Sequence, residues 1–101
     1  MDAPYQPFRQ QAVELQHRLH DSLDDHDHPL AHVLQREVTE LVNDIESNRK
    51  PRSVEERIKQ IQHGLVQMRA QGDGVMDYNQ NQSLHHSYEQ MRENIRRLPH
   101  Y

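Results

Sequence analysis

Residues 53–68 read SVEERIKQIQHGLVQM. Within them Val54, Ile58, Ile61, Leu65 and Met68 recur at steps of four, three, four and three. Apolar side chains at that spacing line one narrow face of an α-helix, a seam of the coiled-coil type. Ser53 followed by Glu56 has the pattern of a capping box, in which the hydroxyl and the carboxylate each accept one free backbone N–H. That predicts a helix opening at 54, and Gly72 predicts its end at 71. Gly64 lies inside this helix at a cost in propensity and borders the seam, so close approach of a neighbouring helix is its expected reason.

The same period extends in both directions. Leu84, Tyr88, Met91, Ile95 and Leu98 repeat the four-three-four-three spacing, which predicts a helix over 83–98 closed by Pro99. Upstream, Leu30, Leu34, Val38, Leu41 and Ile45 form the most apolar stripe, with Val33 and Val42 at its flanks. This predicts a helix over 29–47 with Pro29 in its first turn and a face broad enough for two neighbours. Phe8, Ala12, Leu15, Leu19 and Leu23 predict the first helix, over 8–24. Residues 75–82 continue no seam backward from Leu84 and read as a loop, or a loose turn of helix, folded over the end of the core.

Three glycines and no alternating Val/Ile/Thr run argue against sheet. The expected fold is therefore all-α. Residues 1–101 form one domain, a four-helix up-down-up-down bundle. With hydrophobic residues at 33% the core is narrow, which keeps an alternative open: two helical hairpins that complete a bundle only as a dimer.

The same composition excludes several functions. There is no cysteine, hence no disulfide, thiolate nucleophile or thiolate zinc site. No apolar run is long enough for a membrane span. The opening MDAPYQPFRQQ lacks a basic region followed by an apolar one, so no secretory signal is expected and the cytoplasm is the expected location. A Gly-rich phosphate loop, G-x-S-x-G and H-E-x-x-H are all missing. Paired acids such as Asp24-Asp25 and Glu55-Glu56 are sequence neighbours at helix ends and do not converge on a cleft. No enzymatic activity and no cofactor are expected.

One stretch invites a chemical reading. Residues 17–32, HRLHDSLDDHDHPLAH, hold five of the nine histidines. His17, His20, Asp21 and Asp24, and likewise His28 and His32, have the three- or four-residue spacing that chelates a divalent ion. On a helical wheel the first group centres about 180° from the Phe8–Leu19 seam, and His28 and His32 lie roughly 120–160° from theirs. Both groups therefore face outward. A solvated helix face is the expected reading, and a divalent-metal site is the alternative.

Charge is the stronger signal. Residues 1–48 carry ten acids and three bases, a balance of −7, while residues 49–101 carry nine bases and six acids, a balance of +3. Up-down-up-down connectivity would gather Arg9, Arg49, Lys50, Arg52, Arg96 and Arg97 at one pole. It would gather Asp21, Asp24, Asp25, Asp27, Asp73 and Asp77 at the other. Bases at a helix C-terminus complement its dipole, but that does not account for the 49–52 cluster. The expected function is a small interaction or structural module that binds a protein partner, or itself, through its charged poles. A nucleic-acid accessory using the basic pole is a further alternative and is not favoured. No membrane partner is expected.

Overall fold

The structure is a computed structural model that describes residues 6–23, 29–71 and 76–98. Four helices make up the fold: α1 (Gln6–Ser22), α2 (Pro29–Glu46), α3 (Pro51–Gln71) and α4 (Tyr78–Arg96), with no strand among the described residues. The helices pack against one another around a single cluster of buried apolar side chains. Each contributes the stripe that its periodicity requires. Phe8, Ala12, Leu15, Leu19 and Leu23 come from α1 and the residue after it; Leu34, Val38, Leu41 and Ile45 come from α2. Val54, Ile58, Ile61, Leu65 and Met68 come from α3, and Leu84, Tyr88, Met91 and Ile95 from α4. Only Leu30 and Leu98 of the expected seam are half-buried; Ala31 takes the buried position at the start of α2. Val42 packs against the core from the flank, while Val33 is 42% exposed.

Helix ends account for the differences from expectation. α3 starts at Pro51, so Ser53 lies within its first turn and the capping box does not form. The backbone carbonyl of Lys50 accepts from the Ser53 and Val54 amides at 2.9 and 3.1 Å. Proline fits the first helical position because its fixed φ is helical and its missing N–H would be unsatisfied there. Glu56 instead pairs with Lys59, 3.7 Å away. α4 starts at Tyr78, five residues before the expected boundary, so residues 78–82 are helical. Asp77 caps the helix, its Oδ2 accepting from the amides of Asn79 and Gln80 at 3.1 and 3.2 Å. The seam does continue back from Leu84, but through a polar residue. Asn81 is buried and its Nδ2 donates to the Leu65 carbonyl at 2.9 Å. Met76 packs half-buried against the core, and Tyr78 lies exposed beneath the guanidinium of Arg69, 5.8 Å from the ring centre.

Polar contacts then tie the helices edge to edge. Arg9, early in α1, reaches Glu46 at the end of α2 at 2.9 Å, and Gln16 donates to Thr39 at 2.9 Å. Arg18, late in α1, donates to Ser83, early in α4, at 2.8 Å. Glu55, early in α3, accepts from Arg96 at the end of α4 at 3.1 Å, and Gln62 donates to Glu89 at 2.7 Å. Gln62 is consequently buried, although its wheel position lies off the seam. Gly64 meets α2 directly: a Cβ built on it would fall 2.7 Å from Leu34 Cδ2. The glycine is there because the two helices touch. The Tyr88 hydroxyl is buried with no hydrogen-bond partner among the described residues, and burial pushes its pKa up.

Candidate partner-binding surface

The turn between α2 and α3 is built to hold charge outside the helices. Asn48 adopts a positive φ of 54°. Its amide donates to the Ile45 carbonyl at 3.2 Å and the Arg49 amide donates to the Asp44 carbonyl at 3.0 Å. This pair of bonds is a Schellman closure, with asparagine in the left-handed position usually held by glycine. Two residues later Pro51 opens α3. Arg49 and Lys50 are thus fixed in a short, doubly anchored turn, and Arg49, Lys50 and Arg52 are all exposed.

An open groove of about 520 Å³ begins at this turn, lined by Lys50, Arg52, Ser53, Glu56, Arg57 and Gln60. Arg57 forms its inner wall and is held by three carboxylates of α2: Glu37 at 3.0 Å, Glu40 at 2.9 Å and Asp44 at 3.2 Å. Burial works against the guanidinium's charge, but its hydrogen bonds to Glu37 and Asp44 outweigh that and raise its pKa. Glu37, Glu40 and Asp44 recur at three and four residues, one stripe on α2. The stripe was legible as spacing, but its partner on another helix was not.

Of the six bases expected at the basic pole, two are engaged within the chain. Arg9 pairs with Glu46, and Arg96 pairs with Glu55 at 3.1 Å and Glu93 at 3.4 Å. The hydrogen bond to Glu55 is the main reason that the Arg96 pKa is raised. Arg49, Lys50, Arg52 and Arg97 are exposed and have no ion pair among the described residues. On the acidic side Asp21 is exposed, and Asp77 is exposed and occupied in capping α4. Asp24, Asp25, Asp27 and Asp73 lie outside the described residues.

Of the proposed metal ligands, His17 and His20 are exposed. They stand on the rim of a groove of about 240 Å³ between α1 and α2, with Gln16, Gln35, Val38 and Thr39. His32 is also exposed, and Asp24 and His28 lie outside the described residues. Among the described residues no three histidine or acidic side chains converge to hold an ion. His63 and His86 are exposed, whereas His85 is half-buried. Burial, then the nearby charge of Arg69, lowers its pKa. Beside it, hydrogen bonds from Gln62 and then Arg92 hold the Glu89 carboxyl below its ordinary value.

No helix among the described residues is long and apolar enough to cross a membrane. In comparisons with known proteins, no family model, no curated protein and no solved structure matches this chain.

Proposed function

We propose that this chain is a non-catalytic helical interaction module, its helices running up-down-up-down, that binds a protein partner through its basic end. The topology is supported by the cross-helix pairs. Arg9 with Glu46, Arg96 with Glu55 and Arg18 with Ser83 each join an early residue of one helix to a late residue of its neighbour. Such pairs belong to antiparallel neighbours, as in a bundle whose consecutive helices are joined by short loops and whose first and last helices also touch. The observation that carries the function is the state of Arg49, Lys50 and Arg52. They are exposed and lack ion pairs among the described residues; Arg49 and Lys50 sit in a turn closed at both ends, and Arg52 in the first turn of α3. Presenting charge without compensating it raises the rate and selectivity of docking more than it stabilises a fold.

Nucleic acid fits this surface less well. Glu46, Glu55, Glu56 and Glu93 are interspersed among the bases, so a polyanion would meet carboxylates along with cations. The test is affinity capture from native cell extract, with bound partners quantified at low and high salt. The wild-type chain should lose its partner as salt rises. Lys50→Glu with Arg52→Glu should retain none at any salt while melting at nearly the wild-type temperature, because exposed charges contribute little to stability. A partner retained equally by both proteins would refute this function.

A further inference from the structure

We infer that the partner fitted by the α2–α3 face is a second copy of this chain, docked antiparallel across a twofold axis. This rests on the interaction-module reading above and names the module's partner. The face carries both signs of charge in separate zones. At the turn are three cations, Arg49, Lys50 and Arg52, with no ion pair among the described residues. Behind Arg57, which lines the groove, Glu37, Glu40 and Asp44 of α2 share its single guanidinium, so these three acids keep a surplus of two negative charges. Glu40 is the most open of the three, its side chain 44% exposed. Val33, one turn beyond Glu37 on the same stripe, extends the face with exposed apolar surface.

From Arg52 to Arg57 is about 8 Å along α3 at 1.5 Å per residue. That is about one Debye length at physiological salt, so mobile ions attenuate the attraction between the two zones within one copy and leave each available to a partner. An isologous interface requires one patch to be complementary to itself. A twofold axis normal to this face, between the two zones, lays the cations of each copy over the carboxylates of the other. A partner of uniform charge finds no such match. A polyanion over Lys50 and Arg52 meets Glu56 in the same groove, with the α2 carboxylates behind Arg57, and a polycation meets the reverse.

The experiment is sedimentation equilibrium of the full chain across concentration and salt, with circular dichroism confirming that each variant is folded. At low salt the wild type should show a monomer–dimer equilibrium that moves to monomer at high salt. Lys50→Glu with Arg52→Glu should weaken it on the order of tenfold or more, since like charges then face each other across the axis. Glu40→Lys should do the same; Glu40→Gln, which perturbs Arg57 less, should weaken it by a smaller factor. Mixing the Lys50→Glu/Arg52→Glu chain with the Glu40→Lys chain should restore a mixed dimer that neither forms alone. A wild type that stays monomeric at low salt, a dimer indifferent to salt and to both reversals, or reversed chains that fail to pair when mixed would each overturn the proposal. A monomeric wild type whose extract partner is still lost on Lys50→Glu/Arg52→Glu would refute the self-pairing and leave the module reading standing.

Discussion

Replacing Gly64 with alanine sets two opposed effects of known size against each other. In a helix interior alanine is more favourable than glycine by about 0.8–1.0 kcal/mol. The new methyl group, however, would fall 2.7 Å from Leu34 Cδ2 and 3.2 Å from Cγ. Comfortable carbon–carbon contact lies at about 3.5–4.0 Å. Leu34 is 1% exposed, so its side chain cannot swing into solvent to make room. Relief must come from an unfavourable rotamer or from α2 and α3 moving apart, which costs about 1–3 kcal/mol in a packed core. The net expectation is a loss of about 0–2 kcal/mol, the reverse of the change at an open helical site. Urea unfolding followed by far-ultraviolet circular dichroism measures it, and a double-mutant cycle isolates the cause. Leu34→Ala alone should cost about 2–5 kcal/mol. In that background Gly64→Ala has room and should become stabilising, giving a coupling of about 1–3 kcal/mol. If Gly64→Ala stabilises the wild type by the full propensity difference, or if the two changes simply add, the helices do not touch at Gly64.

Asn48→Ala should cost about 1 kcal/mol in the same assay because a Cβ-bearing side chain without asparagine's local hydrogen bonds is strained at positive φ, whereas Asn48→Gly should not; equal melting temperatures for the two would mean that the turn is not closed as described. Ile61→Asp should abolish cooperative unfolding, since it buries an unpaired carboxylate at a fully enclosed position. Gln62→Asp should be milder, at about 1–3 kcal/mol for a broken hydrogen bond and a like charge beside Glu89, and its cost should shrink as pH falls and the pair takes up a proton. Finally, a histidine with a lowered folded pKa stabilises the chain above its unfolded value, and that contribution is lost as pH falls below about 6.5. The melting temperature should therefore drop from neutral pH toward pH 5 by less in His85→Gln than in the wild type; identical profiles would show that His85 titrates as it does in the unfolded chain.

The helices were legible because apolar spacing survives every local accident of sequence. Val54 to Met68 and Leu84 to Ile95 are buried where the period put them. What spacing could not reveal was a polar residue doing an apolar residue's job. Asn81 falls three residues before Leu84 on the same face, yet its amide masks the seam, and the first turn of α4 reads as loop. Its burial is tolerable because the Leu65 carbonyl accepts its Nδ2 proton, a partner on another helix that no local rule supplies. The capping box failed for a related reason. Ser53 and Glu56 have the right spacing, but Pro51 satisfies the first turn two residues earlier, and the earlier start wins because it adds helix at no further cost.

Charge behaved differently. The bases expected at one pole can be named from sequence, but their availability cannot, because a long charged side chain is spent or free according to its neighbours on other helices. Arg9 and Arg96 have the same chemistry as Arg52, and each lies beside a carboxylate that partly neutralises it. Arg57 goes furthest: one guanidinium answers three carboxylates and leaves their zone acidic. Pairing within the chain thus sorts twelve bases and sixteen acids: Arg49, Lys50 and Arg52 keep no ion pair among the described residues, while three α2 carboxylates share one guanidinium. Self-pairing would rest on that difference, which arises because the acids of α2 outnumber the arginine that α3 sets against them. Arg57→Gln would increase the negative surplus while loosening the α2–α3 seam, so stability and self-association should move in opposite directions, stability down and low-salt dimerisation up. A variant in which both fall together would show that Arg57 shapes the face more than it neutralises it.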